Sequence, residues 1–490
     1  MTESRQLTFR GGWLAAFVPV IVFLFFCVLY FVVLQAFDLT ALAMGGFVAL
    51  LVGALLSRNY ARYWSAVMGG ISSPSAVVIV VILLVIGMLA ELIKVTNVSQ
   101  GFVWLARELG INAGLFTFFT FLTVCAVAMA TGSSIGTMFT AFPIFYPAGV
   151  VLGAEPALLA GAIVSGAIFG DNLAPISDTT IISAATQRFR RKAGVADIAG
   201  VVRSRARYAL VAAGISGAAY LIAGSRASGT TDIQSALQGA AKPAGLVMLI
   251  PVAIMLVVAF LARDIFKAVT VGLVLGTVAA LWSGLLSFDG VIGVSDGAPT
   301  GYLVLGVAHM LPTVALVIAV FGIVGVLTDA GVLERTATWL VNSRFASTPR
   351  GAEASIAFGS TATAVLFGGV NSASMLAFGP VADEIGSRVN LHPYRRSNVM
   401  DCFSMGIAAV VPFLSAFLLI GASLTKGYDF VQPLGIVTLF TGTLYPLVLT
   451  LVMAVAVFTG WGRRFEGPGG AESPTSERVE EDLAPAATVG

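Results

Sequence analysis

The chain has 490 residues, of which 58% are hydrophobic and only 11% charged, with a net charge of +2 and a mean hydropathy of +0.95; soluble domains carry about 25% charged residues. This composition describes a polytopic membrane protein whose main partner is the lipid bilayer, with no room for a second, soluble domain and no electrostatic signature of nucleic acid. The three cysteines, Cys27, Cys125 and Cys402, lie singly in apolar runs, and no Walker-type glycine loop occurs, so neither a cysteine metal site nor ATP-driven pumping is indicated.

Apolar runs long enough for a hydrocarbon core of about 30 Å predict spans over 14–37, 40–56, 75–95, 112–130, 131–152, 156–186, 208–224, 243–262, 266–284, 312–328, 352–366, 367–382, 397–422 and 433–459. The connection between Ala185 and Tyr208 carries seven basic residues, Arg188 to Arg207, against one acid, Asp197. The positive-inside rule makes it cytoplasmic, and counting from it puts both termini inside a plasma (inner) membrane. The organisation expected is a cytoplasmic N-terminus (1–13), a first transmembrane repeat (14–224), a linking loop (225–242), a second repeat (243–459) and a disordered acidic tail (460–490). Runs 131–152 and 367–382 are rich in Gly, Ser and Thr and read equally as re-entrant hairpins.

The division into repeats rests on internal matches. "IGMLAELIKVTNVSQGFVWLA" (86–106) aligns with "FGIVGVLTDAGVLERTATWLV" (321–341) at an offset of 235, and Gly132, Met138 and Pro143 match Gly369, Met375 and Pro380 at 237. Seven crossings per half, an odd number, would invert the second half relative to the first. That is the architecture of transporters that rock around a midplane site. The fold class expected is therefore all-α, with two inverted-topology repeats, broken helices and re-entrant hairpins as an option.

Within the sixth run, "SGAIFGDNLAPISDTTIISA" (165–184) places Asp171 and Asp178 at membrane depth. An ionised carboxylate there costs at least about 2.5–3.5 kcal/mol on insertion scales, so it persists where protein, water or a cation compensates it. Pro175 removes a donor and disfavours helix at Ala174, so the helix should break between Asn172 and Ser177 and free carbonyls beside the acids. Carbonyl and carboxylate oxygens suit Na⁺, and the acid can take H⁺. The bland alternative has Asp178 capping the new half-helix and Asp171 bonding a neighbour.

"MATGSSIGTMFTAFP" (129–143) and "FGGVNSASMLAFGP" (367–380) add candidate pocket residues at equivalent positions: Ser133, Ser134 and Thr137, then Asn371, Ser372 and Ser374. Close helix packing through small residues is the competing explanation. Asp401 is a candidate for ion or proton binding, against an interfacial pair with Arg396. Glu91 is expected to pair with Lys94, and His309 and His392 to lie at span ends or in loops.

"FGDNLAPISDTT" (169–180) resembles the signature of the NhaC-type sodium/proton antiporter family, a branch of the ion transporter superfamily. The resemblance implies that Asp171, Asp178 and Thr179 form the cation and proton site with Ser177 and Asn172 beside them, and that Na⁺ and H⁺ are the ions moved, without an organic cofactor. In the second half the family's acid pair and Pro-Trp-Asn become Asp401 and Pro412, with Met400, Phe413 and Leu414 at the other positions. The leading expectation is Na⁺/H⁺ antiport rather than an enzyme. A Na⁺- or H⁺-coupled carrier of a small organic acid or amino acid is the alternative, and an intramembrane aspartyl hydrolase the remote one, since no Gly-X-Gly-Asp run occurs. A homodimer is compatible with the sequence.

Overall fold

The computed structural model describes residues 7–34, 38–97, 104, 113–226, 243–262, 264–295, 297–332, 335, 344–426, 428 and 431–476. Seven helices among these are long and apolar enough to cross a membrane, and a bent pair adds an eighth. In the first half the α-helices are α1 (Val18–Val28), α2 (Leu39–Leu56), α3 (Tyr60–Ile71), α4 (Pro74–Val95), α5 (Ala113–Thr131), α6 (Ser134–Val151), α7 (Pro156–Leu173), α8 (Asp178–Ala185) and α9 (Ile198–Arg226). The second half runs α10 (Leu249–Ala262), α11 (Ile265–Trp282), α12 (Tyr302–Asp329), α13 (Pro349–Leu366), α14 (Asn371–Ser387), α15 (Pro393–Ser404), α16 (Ala416–Leu424), α17 (Ile436–Gly442) and α18 (Leu444–Thr459). Of the matched repeat segments, Trp339 and most of 98–112 lie outside the described residues, as do 227–242 of the linking loop and the tail from 477.

The repeat is visible as a recurring order: helix, glycine turn, helix, broken helix. α5 and α6 are joined at Gly132 (φ +66°), α13 and α14 at Gly368 and Gly369 (φ +63° and +77°), conformations that favour glycine. Each turn packs on the break of its own half. A Cβ at Gly132 would come within 2.8 Å of Ile176, while Gly368's carbonyl accepts the Ala416 N–H at 2.9 Å. The packing also exchanges between halves: α8 lies against α14, and α16 against α6.

The first break is where Pro175 requires it. α7 stops at Leu173 with Ala174 extended (φ −67°, ψ 126°), and α8 begins at Asp178. The second is longer. The run 397–422, expected to be one span, divides into α15 and α16 across a segment containing Pro412 and Phe413, the latter at φ +66°. The run 433–459 is likewise bent by 57° between α17 and α18.

Inversion follows from where the equivalent helices start. The broken segment Pro156–Ala185 makes one 30-residue crossing, so α7 begins on the face opposite the basic loop that follows α8. α15 begins on the basic-loop face itself: Arg396 Nη2 donates to the Arg188 carbonyl at 2.6 Å, and the Phe189 ring lies 5.6 Å from that of His392. Halves of opposite sense meet most closely along α4 and α12, where Gly87 and Gly306 touch backbone to backbone; a Cβ on either would strike the other's carbonyl.

Two boundaries move outward from their expected places. α9 starts at Ile198, capped by the Asp197 carboxylate, which accepts the Gly200 N–H at 2.7 Å; it takes Arg203, Arg205 and Arg207 into the helix instead of the loop. α12 starts at Tyr302, which puts His309 inside a helix, its Nδ1 3.1 Å from Glu91. Lys94 stands 3.8 Å from the same Glu91, the pair expected. Residues 460–476 do not begin a disordered tail. Strands Phe465–Glu466 and Glu472–Ser473 pair there, and Arg463 makes a bidentate contact with Glu353 at 2.7 and 3.0 Å.

Candidate functional site

Asp171 sits in the last turn of α7, 4% exposed, and accepts a hydrogen bond from Ser134 at 2.6 Å and another from Ser177. Ser134 is the first residue of α6, so the glycine turn delivers a hydroxyl to the break. Ser177 shares its hydroxyl with Thr179 at 2.8 Å. Asp178 opens α8 and is more accessible; its carboxylate accepts from the Thr179 N–H at 2.8 Å and from Ser372 at the start of α14. The first break therefore faces the glycine turn and hydroxyl-rich helix start of the second half, as Pro175 and the hydroxyl-rich runs lead one to expect.

Both acids border a cavity of about 180 Å³. Ser133, Ser134, Thr179, Asn371 and Ser372 border it too, with Ile79, Ile82 and Phe417 as apolar wall. No lysine, arginine or histidine does among the described residues. Asn371 donates to Met405 Sδ at 2.8 Å, while its buried Oδ1 has no partner among the described residues. A wider cavity of about 650 Å³ on the basic-loop side shares Val370 and Ser372 with this one and reaches the Arg62–Asp329 ion pair, 2.9 Å.

Five expected site residues do not border the small cavity. Ser177 donates its hydroxyl to the Asp171 carboxylate. Thr137 bonds the Thr131 hydroxyl at 3.0 Å, and Ser374 bonds the Asn371 carbonyl at 2.9 Å. Asn172 faces away: its amide donates to Asp401 at 2.7 Å and its carbonyl oxygen accepts from Tyr445 at 3.1 Å. Asp401 is fully buried but pairs with Arg205 rather than Arg396, Oδ2 lying 2.8 Å from Nη1 in a charge contact without hydrogen-bond alignment. Arg396 instead reaches Asp383 at 3.1 Å.

Arg205 is the residue that sequence reasoning passed over. Its guanidinium also donates to the Asn172 carbonyl at 2.7 Å, Ser183 at 2.9 Å and Thr180 and Asn398 at 3.1 Å. The signal was present: Val201, Arg205, Tyr208, Ala212 and Ser216 form one buried helical stripe.

Two inverted repeats whose broken helices meet at an acidic, protein-lined cavity define a membrane protein of the secondary-transporter class. The chain belongs to the Na⁺/H⁺ antiporter family, whose model matches residues 7–196 and 193–413. It is 26% identical over 314 residues to a malate-2H⁺/Na⁺-lactate antiporter of Bacillus subtilis, covering 60% of this chain and 64% of that protein. It is 45% identical over 65 residues to the Na⁺/H⁺ antiporter NhaC of Alkalihalophilus pseudofirmus, 13% of this chain and 14% of that one. The matches thus span under two thirds of either relative. Among solved structures, the Alcanivorax borkumensis YdaH transporter aligns over 91% of this chain and 99% of its own at 14% identity, with a TM-score of 0.36.

Proposed function

We propose that the protein exchanges Na⁺ for H⁺ across the plasma membrane by alternating access, with Asp171 and Asp178 as the exchanging carboxylates. One observation carries this reading. Two acids, Ser134 and Asn371, whose side-chain oxygen has no partner among the described residues, border one cavity that no cationic side chain borders among the described residues. Such oxygens suit a small hard cation, and half-helix ends near mid-membrane are where transporters hold Na⁺ or H⁺.

Asp171 takes either ion but not both. With Na⁺ bound, its charge is offset by the cation; with H⁺ bound, it is neutral and can donate to a neighbouring oxygen. The ion-free carboxylate is the form most costly to carry through an enclosed intermediate. Exchange then follows because only loaded forms cross. The wider cavity supplies the cytoplasmic approach, since the basic loop assigns that face to the inside. Ser372, bonded to Asp178 and bordering both cavities, stands between approach and site.

A second reading is favoured by the Bacillus relative, whose name couples Na⁺ and H⁺ to lactate and malate. An organic anion in this cavity would face two carboxylates, so bound Na⁺ would have to precede it. Purified protein in proteoliposomes, with imposed Na⁺ gradients and a pH dye inside, separates the two. Na⁺-driven H⁺ movement without solute supports exchange; movement strictly dependent on lactate or malate transfers the assignment to the carboxylate carrier.

A further inference from the structure

Asp171 and Asp401 hold matching positions, each in the last turn of the helix that precedes its half's break, α7 ending at Leu173 and α15 at Ser404. Their surroundings differ in charge. Asp171 meets hydroxyls and borders the cavity, whereas Asp401 meets the guanidinium of Arg205, and both members of that pair are 0% exposed. Arginine is not deprotonated in proteins, so this positive charge is permanent. Its remaining donors go to the Asn172 carbonyl, at the end of α7, and to Ser183, Thr180 and Asn398. Among the described residues, Tyr445, Cys402 and Asp171 are the other titratable groups that interact with Asp401.

We propose that Arg205 is a resident cation filling the second-half counterpart of the cation site, so that Asp401 takes no part in ion exchange and each cycle carries only the ions held at Asp171 and Asp178. This rests on the exchange reading above. It makes Arg205 a positioning residue with a stoichiometric consequence: one half of the repeat binds the moving ion, and the other carries its own.

A guanidinium in that place also explains why a buried arginine is tolerated. Removing one partner of a buried pair leaves an uncompensated charge, whereas removing both does not. The two cases give different ion ratios.

The test compares wild type, Arg205→Lys, Arg205→Gln and the neutral double variant Arg205→Gln/Asp401→Asn. Two readouts apply: the Na⁺:H⁺ ratio and pH profile in proteoliposomes, and labelling of carboxyls by a hydrophobic carbodiimide, mapped by mass spectrometry on detergent-purified protein. In wild type and Arg205→Lys, Asp401 should stay unlabelled. Arg205→Gln should gain labelling at Asp401, suppressed by Na⁺, together with a changed ion ratio and pH profile. The double variant should transport more slowly, with the wild-type ratio and profile. Labelling of Asp401 in the wild type with the same Na⁺ protection as Asp171 would overturn the proposal. So would a folded Arg205→Gln protein whose Asp401 stays unlabelled, or an altered ratio in the double variant. Labelling needs no transport, so a wild type that moves no H⁺ against Na⁺ would refute exchange while the fate of Asp401 still decides the role of Arg205.

Discussion

Asn172 Nδ2 donates to Asp401 Oδ1 at 2.7 Å, a single hydrogen bond that ties the last turn of α7 to the last turn of α15 and so joins the broken helices of the two halves. Asn172 is fully buried, and its oxygen is held by Tyr445 at 3.1 Å. Any motion of one half past the other has to move this residue or carry it along.

Asn172→Ala should therefore destabilise the protein and slow transport without changing which ion is bound. Losing bonds to a buried charged group leaves the partner unsatisfied, at a cost of about 1–3 kcal/mol. Thermal unfolding in detergent should show the loss, and Na⁺ binding to the purified protein should change little. A selective loss of Na⁺ affinity at unchanged stability would instead return Asn172 to the site.

Asp171→Asn and Asp178→Asn are each expected to abolish coupled transport while leaving the protein extractable and folded. The amide keeps size and hydrogen bonding but removes the charge that a cation or proton neutralises. Proteoliposome flux measures this, and near-normal exchange in both variants would make the acids structural. The more accessible Asp178 should be the easier of the two to modify with water-soluble reagents.

The first break and its hydroxyl partners were legible because each depends on local chemistry: Pro175 stops α7, and Gly132 and Gly369 turn the chain in positive-φ conformations. Long-range charge pairing was not legible in the same way. Arg396 is five residues from Asp401, about 140° around a helix with 3.6 residues per turn, so neighbours in sequence point to different faces. Arg396 goes to Asp383, Arg395 goes to Glu353, and Asp401 is met by an arginine 196 positions away, as 401 minus 205 gives. The dense basic run between Arg188 and Arg207 reads as a solvated loop, which concealed that its second half is helix and that Arg205 lies on the buried stripe. The second break was disguised by a run apolar enough to cross unbroken; Pro412 was its sole proline.

Ser134→Ala should weaken Na⁺ binding more than it weakens the fold. Its hydroxyl reaches Asp171 at 2.6 Å from the opposite wall of the break. Hydrogen bonds to charged groups contribute about 1.5–3 kcal/mol, so apparent Na⁺ affinity should fall between about tenfold and a hundredfold, at RT near 0.59 kcal/mol. The Na⁺ dependence of exchange provides the measurement, and an unchanged half-saturation concentration would remove Ser134 from the site.

The last expectation concerns pH at the basic-loop face, where His392 joins three segments. Its N–H donates to the Arg464 carbonyl at 2.9 Å, its Nδ1 accepts the Tyr394 N–H at 3.2 Å as the cap of α15, and its Nε2 lies 3.2 Å from the Gly470 carbonyl. Burial pushes the imidazolium below its ordinary range; the Gly470 carbonyl, Glu472 and Glu466 oppose that, and Arg396 reinforces it. Protonation would also place a hydrogen on Nδ1 against the Tyr394 donor. Because the folded state holds the His392 proton less tightly than the unfolded chain, its contribution to stability is present above about pH 6.5 and is lost as pH falls through the lower folded value. Hydrogen exchange of Trp461–Ser473, corrected for intrinsic pH dependence, should accelerate on acidification across that window. His392→Asn keeps a capping oxygen for α15 but has no proton to gain. It should flatten the pH dependence while leaving the fold intact, and an acceleration equal to that of wild type would exclude His392 as its source.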